Sequence, residues 1–304
     1  MPAALEPAAC FGKTPRHGDF VRHRVGPALR AFDEWAGRAV YEGRRRPGFD
    51  AAYDAAVGDA VRFVYAPPRR GGAAAPAPLV GALCPSRDRS GRRYPFIVAA
   101  EAPGLDSAAE AAGRLEPFLD AAAALAADAA AGGLDHYTLV ERVAAVDAAP
   151  PAPRSGALRR PLRAFGGAVW GDFEDARKYV LFRNLLDVMR GAEDGLRFPL
   201  GATPAADAEV WLALVERLAG GAVSSFALYA GGPVVGSPNL LAYTGAPHPC
   251  ALLHLLVPGT DADGVVELEG RGADGVEAAL ALPPDVGALI EDGDLALADL
   301  VDRL

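Results

Sequence analysis

Two short polar clusters in this sequence combine cations, a carboxylate and turn-forming residues, which together could bind an anion or perform acid–base chemistry. The first cluster, residues 11–21, reads FGKTPRHGDFV, and its two glycines and proline predict a bent backbone. The second cluster, residues 85–95, reads PSRDRSGRRYP and carries four arginines and one aspartate. Planar guanidinium groups bind carboxylates and phosphates through paired hydrogen bonds, so the clusters predict a site for an acidic or phosphorylated partner.

The same two clusters allow two other interpretations. Asp19 and Asp88 could be turn or capping residues that accept backbone N–H bonds, while the arginines form a solvated face. Either aspartate could also be the general base of a hydrolase whose arginines hold an anionic substrate. The residue types do not choose among these readings, because a general base must lie within hydrogen-bond reach of its substrate and a sequence does not show that.

Two glycine motifs resemble nucleotide-binding loops, but the residues around them argue against a nucleotide-binding site. The GKT at residues 12–14 lacks the first glycine of a phosphate-binding loop, since Pro7 stands in that position. A GxGxxG occurs at residues 270–275, yet only residues 276–282 separate it from two prolines. That length is too short for the crossover helix of a βαβ unit, so we predict a glycine-rich hairpin turn there.

The remaining reactive residue types form no recognisable site. No GxSxG or HExxH motif is present, and the five histidines are scattered without ligand spacing. His254 lies in an apolar run that predicts a strand, so we expect a core or surface histidine there. Cys10, Cys84 and Cys250 are odd in number and widely spaced, which predicts buried free thiols. We therefore predict no cofactor and no metal.

The two clusters also carry a resemblance to a known family. The first resembles the G-K-x-P-x-x-G-D-F pattern near the start of TagF/ImpM proteins, and the second resembles their P-S-x-D-x-x-G-R-x-Y-P-[FL] pattern. The two matches occur in the family's order and are joined by a helix that contains a tryptophan. The similarity covers roughly the first 130 residues. Residues 226–256 loosely resemble a late strand pattern of the family, but Ala-Leu-Tyr stands where tryptophan is often found.

The resemblance implies an accessory regulator of type VI secretion, typically a post-translational repressor that interacts with a forkhead-associated scaffold protein. No enzymatic activity is attached to the family, and a hydrolase acting on an anionic substrate is the alternative. The family patterns and their cationic neighbours predict these partner-binding residues: Lys13, Arg16, Gly18, Asp19, Ser86, Arg87, Asp88, Gly91, Arg92, Arg93 and Tyr94.

The elements that must position the two clusters can be predicted from apolar periodicity and breaker residues. A helix is expected over residues 27–43, followed by an antiparallel meander of three strands over residues 61–66, 79–84 and 94–100. Residues 106–133 predict one long helix and residues 134–146 another. Residues 148–156, AAPPAPRSG, predict a linker because stacked prolines and small residues favour an extended backbone.

The second half predicts a similar mixture of elements. Helices are expected at residues 172–190, 204–219 and 295–304, and strands at residues 225–229, 239–243, 251–257 and 265–269. The fold class expected is α/β, with a mainly antiparallel meander sheet flanked by helices and two halves that share or pair sheets. The domains predicted are residues 1–147, the TagF/ImpM-like part, and residues 157–304, a divergent or lineage-specific half.

Composition limits the class of partner. The 304 residues carry a net charge of −9, which argues against nucleic acid as the main partner. The alanine-rich stretch at residues 119–133 is interrupted by Asp120 and Asp128, so we expect no insertion into a membrane. Residues 1–9 lack the basic and apolar regions of a secretory signal, which predicts a cytoplasmic protein.

Overall fold

The computed structural model of the protein describes residues 5–66, 77–146, 156–189, 195–220, 226–230, 238–245, 247–256, 265–268 and 274–304. The first half contains strands β1 (Ala9–Gly12), β2 (Val21–His23), β3 (Val61–Tyr65), β4 (Leu79–Cys84) and β5 (Phe96–Glu101), and helices α1 (Pro27–Gly43), α2 (Phe49–Ala55), α3 (Ala108–Arg114), α4 (Glu116–Ala130) and α5 (His136–Val146).

The second half begins with a 3-10 turn, Ala157–Arg159, and continues with further helices and strands. The helices are α6 (Leu162–Val169), α7 (Arg177–Met189), α8 (Pro204–Leu218), α9 (Ala251–Leu256), α10 (Gly275–Ala281), α11 (Pro284–Glu291) and α12 (Leu297–Arg303). The strands are β6 (Gly195–Pro199), β7 (Phe226–Ala230), β8 (Asn239–Tyr243) and β9 (Val265–Glu267).

The strands of the first half form a five-stranded antiparallel sheet in the order β2-β1-β5-β4-β3. The strands of the second half form a smaller mixed sheet, β7-β8-β6-β9, in which β6 and β9 run parallel. Strands β3 and β7 pair antiparallel and join the two sheets, with Val61 opposite Ala230. The expected α/β fold with a mainly antiparallel sheet is confirmed, and the pairing of β3 with β7 answers the question, left open by the sequence, of whether the two halves share or pair sheets.

Helices cover both faces of the sheet, because successive strand residues point to opposite sides. In β5, Phe96 and Val98 face one apolar core, while Ile97 and Ala99 face the other. The core containing Ile97 is covered by α1 and α2, together with α9 of the second half. Helices α3, α4 and α8 pack on the opposite core.

Two predicted elements are wrong, and each has a local cause. The long helix expected over residues 106–133 is broken at Leu115, because Pro117 stands in the first turn of α4 and lacks the N–H that a continuous helix requires. The strand expected at residues 251–257 is helix α9, so His254 lies in a helix. A short apolar run such as ALLHLL fits either structure by periodicity alone.

Several expectations concern residues that lie outside the described part of the chain. The linker at residues 148–156 is one of them, apart from Gly156, and the boundary drawn there stays a prediction. Gly270 and Gly272 of the glycine motif also lie outside it. Gly275 begins α10 rather than forming part of a hairpin turn, and the Asp274 side chain caps that helix by accepting the Val276 N–H.

Candidate partner-binding site

The first cluster, residues 11–21, is the connection between β1 and β2 at one edge of the sheet. Gly12 ends β1 with φ at 138°, and a side chain there would overlap the backbone of Pro95. The backbone then turns so that the His17 N–H donates to the Thr14 carbonyl oxygen at 3.1 Å. Glycine at position 12 therefore allows the first cluster to lie directly against the end of the second.

The second cluster, residues 85–95, connects the antiparallel strands β4 and β5. The Asp88 N–H donates to the Arg92 carbonyl oxygen at 3.1 Å, and the Gly91 N–H donates to the Asp88 carbonyl oxygen at 2.9 Å. Gly91 has φ at 86°, a left-handed conformation that glycine adopts without a steric cost. The turn thus directs the Asp88 side chain inward, where it is buried.

Both oxygens of the Asp88 carboxylate are occupied by donors. Oδ1 accepts from the Ser90 N–H at 2.9 Å, the Ser90 hydroxyl at 2.7 Å and the Arg92 N–H at 3.0 Å. Oδ2 accepts from Lys13 Nζ at 2.8 Å and Arg92 Nε at 2.6 Å. Burial acts to raise the pKa of Asp88, but these hydrogen bonds outweigh it and hold the pKa well below the usual range.

Because both of its oxygens already accept hydrogen bonds, the Asp88 carboxylate is excluded as a general base. A base must accept a proton from a substrate within hydrogen-bond reach, and this side chain exposes none of its surface. Its depressed pKa also makes it a poor proton acceptor near neutral pH. The arrangement matches the interpretation of Asp88 as a residue that organises its own turn.

The Lys13 ammonium lies between the Asp88 carboxylate and an aromatic cluster. Its Nζ atom is 4.9 Å from the centroid of the Phe20 ring, which is close enough for a cation–π contact. The Phe20 ring stacks on Phe11 at 5.1 Å and meets the edge of Tyr94 at 5.0 Å. Residues from both family patterns therefore form one packed unit around a buried ion pair.

The two loops also contact each other at the surface. Arg92 Nη2 donates to the Gly18 carbonyl oxygen at 2.9 Å, and the Arg89 N–H donates to the His17 carbonyl oxygen at 2.9 Å. A side-chain atom added at Gly18 would lie 3.4 Å from the Arg89 guanidinium. The guanidinium groups of the second loop thus lie over the backbone of the first, and the loops form a single surface.

Arg93 and Tyr94 point toward the helices that cover this end of the sheet. Arg93 donates to both carboxylate oxygens of Asp54 at 2.8 and 2.7 Å and lies 3.1 Å from Asp50, and the hydrogen bond with Asp54 raises the pKa of Arg93. The Tyr94 hydroxyl donates to the Asp33 carbonyl oxygen at 3.1 Å and also to its carboxylate. These two side chains are engaged within the fold.

The structure thus divides the predicted partner-binding residues by accessibility. Three are buried, namely Lys13, Ser86 and Asp88. Six are exposed, namely Arg16, Gly18, Asp19, Arg87, Gly91 and Arg92, and Arg93 and Tyr94 are partly buried. A partner can touch the exposed groups directly, whereas the buried groups can act on a partner only by holding the exposed ones in place.

Three exposed residues near the two loops were missing from the predicted set. Arg89 belongs to the second cluster, and its charge and position in that loop could have marked it. His136 and Tyr137 lie on α5, where the His136 ring is 6.4 Å from the ring of His17. No feature of the sequence links α5 to the first cluster, because that proximity depends on how α4 and α5 pack.

Other kinds of site find no support in the described ranges. No group of three His, Cys, Asp or Glu residues there could hold a metal ion. None of the helices seen in these ranges is long and apolar enough to cross a membrane. Cys10, Cys84 and Cys250 are buried and none of the three is in a disulfide, as predicted, and burial raises the pKa of the Cys10 and Cys84 thiols to about 12.

Comparison with known structures reveals the same fold in another protein. PA0076 from Pseudomonas aeruginosa PAO1, known from a crystal structure, aligns with a TM-score of 0.52 and 18% sequence identity. The alignment covers 84% of this chain and 96% of that one. At this identity the likeness shows the fold alone, and its coverage means that the fold extends well into the second half. No curated protein sequence matches the chain.

Comparison with protein families finds a match, which lies in the first half of the chain. The model that matches is the TagF N-terminal domain, described as type VI secretion system-associated, and the match spans residues 9–146. This range contains both clusters, the buried Lys13–Asp88 ion pair and the exposed arginines around it. Residues 9–146 of this chain are therefore similar to TagF N-terminal domains, which are type VI secretion system-associated.

Proposed function

We propose that this protein is a non-enzymatic, cytoplasmic regulator of a type VI secretion system, and that it represses the system after translation by binding a forkhead-associated scaffold protein. The similarity to TagF N-terminal domains supports the association with secretion. The Asp88 carboxylate already accepts hydrogen bonds from residues of the two motifs. This supports binding rather than catalysis, because the carboxylate has no position left for a substrate.

The observation that carries the proposal is the pair of loops that the Lys13–Asp88 ion pair holds side by side. From these loops Arg16, Arg87 and Arg89 reach the surface, and their guanidinium groups form no ion pair or hydrogen bond within the described ranges. Arginines on loops that a rigid sheet supports are suited to an acidic surface, because the loops need little ordering when a partner binds.

Affinity purification from the native host tests this function. Tagged wild-type protein should recover a forkhead-associated scaffold protein, identified by mass spectrometry, together with other secretion components. The variant Arg16→Glu/Arg87→Glu should recover much less of it, because like charges across an interface oppose association. Arg44→Glu is the matched control, since Arg44 is also exposed but follows α1.

Whether the protein represses secretion is tested by a separate measurement. Deleting the gene should raise secretion by the host system, and expressing the wild-type protein should restore the lower level. Unchanged secretion after deletion would contradict the repressor role. Recovery of no secretion component by the wild-type protein would contradict the binding function itself.

A further inference from the structure

One surface beside the two loops at residues 11–21 and 85–95 includes residues of α5, which lies outside both family motifs. The turn between α4 and α5 packs against the first loop, and a side-chain atom added at Gly132 would lie 3.1 Å from the Cβ atom of Pro15. This contact brings the start of α5 beside residues 16 and 17. The His17 ring then lies 6.4 Å from the ring of His136, and the His136 ring lies 6.3 Å from that of Tyr137.

We infer that the strip formed by Arg16, His17, Arg89, His136 and Tyr137, the arginine–tyrosine strip, is a docking surface for an acidic protein segment that carries an aromatic side chain. The inference rests on the proposed binding function and names the chemistry of the partner.

Tyr137 provides the apolar part of the strip. It is 83% exposed, while the neighbouring residues Leu139 and Val143 of α5 are fully buried in the core. The Tyr137 side chain therefore lies mostly outside the core. Tyrosine and arginine, with tryptophan, are the residue types enriched among those that dominate binding energy, because they bury large areas and can still form polar contacts.

The charge of the strip indicates an acidic partner. Arg16 and Arg89 bring two full positive charges that form no ion pair within the described ranges, on a chain whose net charge is −9. Burial, together with the nearby His136 and Arg16 side chains, lowers the pKa of His17. Each arginine can form a paired hydrogen bond with a carboxylate of a partner.

Two carboxylates lie close to the strip, and both are engaged locally. Asp135 accepts the Thr138 N–H at 2.9 Å at the start of α5, and Asp19 accepts its neighbour Phe20 N–H at 2.8 Å. Asp135 is near enough to Arg16 for that cation to help lower its pKa. Neither carboxylate forms an ion pair with Arg16 or Arg89, so both guanidinium groups remain available to a partner.

The strip can be tested directly with synthetic peptides and the full-length protein. The probe is a fluorescein-labelled peptide rich in Asp and Glu with one central Phe, and its binding is measured by fluorescence anisotropy. We expect Arg16→Glu/Arg89→Glu to weaken binding at least about tenfold and Tyr137→Ala to weaken it about fivefold. Replacing the Phe of the peptide with Ala should cost about the same factor as Tyr137→Ala.

Matched controls separate the strip from general attraction to an anion. Tyr41 is 65% exposed and lies on α1, so Tyr41→Ala should leave peptide binding unchanged, as should Arg44→Glu. Equal losses for Tyr137→Ala and Tyr41→Ala would overturn the inference, as would a wild-type protein that does not bind the peptide. Equal binding of a single-stranded oligonucleotide of the same charge would also overturn it, because the surface would then lack preference for a protein segment.

A parallel purification from the native host distinguishes the two proposals. If wild-type protein and Tyr137→Ala recover the same amount of forkhead-associated scaffold protein, the strip is wrong while the proposed function stands. If wild-type protein recovers no secretion component, the proposed function fails. Reduced recovery by Tyr137→Ala, with unchanged recovery by Tyr41→Ala, supports both.

Discussion

The Lys13 ammonium and the Asp88 carboxylate, which are 75 residues apart in the sequence, lie 2.8 Å apart beneath the surface of the protein. Their side chains are 6% and 0% exposed, and the pair joins the connection between β1 and β2 to the connection between β4 and β5. Two motifs that look like separate sites are therefore two sides of one structural unit.

Asp88→Asn should lower the free energy of unfolding by about 3 kcal/mol, because the Lys13 ammonium would stay buried without its carboxylate. Urea unfolding followed by circular dichroism measures the loss. A double-mutant cycle with Lys13→Met provides the control: the double variant should lose less stability than the sum of the two single variants. Strict additivity would show that the two side chains do not stabilise each other.

The stability supplied by Asp88 should depend on pH in the acid range. Its folded pKa is depressed, so its contribution is complete above the unfolded carboxyl pKa of about 3.9 and is lost as the pH falls toward the lower folded value. The difference in unfolding free energy between wild type and Asp88→Asn should be constant from about pH 5 to 7 and shrink below about pH 4. A difference that stays constant down to the acid transition would contradict the depressed pKa.

Gly12→Ala should destabilise the protein more than Gly91→Ala. Both glycines have positive φ, which costs an alanine about 1–2 kcal/mol. A Cβ atom at position 12 would also overlap the Pro95 backbone, whereas position 91 has no atom within 4 Å. Thermal unfolding of the two variants tests the difference, and equal losses would mean that the close approach of the two loops adds nothing to the strain.

Glu216→Ala should loosen α3, although Glu216 lies on α8 in the other half of the chain. The Glu216 carboxylate accepts from the Ser107 hydroxyl at 2.7 Å and from the Ala108 N–H at 2.5 Å. Losing a helix cap of this kind costs about 1 kcal/mol, and amide hydrogen exchange at Ala108 and Ala109 should become faster.

Glu110→Ala is the control for Glu216→Ala. Glu110 forms an ion pair with Arg114 on the same helix, and such pairs contribute only about 0.2–0.5 kcal/mol. Exchange at Ala108 and Ala109 that is unaffected by Glu216→Ala would show that the second half does not stabilise this helix.

The strongest local signals of the sequence predicted much of the fold. Helix α1 was expected from Pro27 and the apolar spacing that follows it, and the structure has this helix with the same bounds. The meander of β3, β4 and β5 followed from short apolar runs separated by Pro and Gly. Helix α9 was missed because a run of six residues is too short for periodicity to separate a helix from a strand.

The sequence by itself determined that the two clusters carry cations, carboxylates and turn residues, and that both resemble patterns of one family. Only the tertiary structure decided which of these groups face inward. Lys13 and Asp88 are charged residues that a sequence would place at the surface, yet their pairing across two loops permits both to be buried.

The tertiary structure also decided which exposed groups become neighbours. Tyr137 lies beside the first loop only because Pro15 packs against the turn before α5, and Arg89 lies over Gly18 only because the two loops share backbone hydrogen bonds. These contacts join residues distant in the chain, so they depend on the packing of whole helices and strands. Local propensity and spacing, which are what a sequence displays, carry no information about such distances.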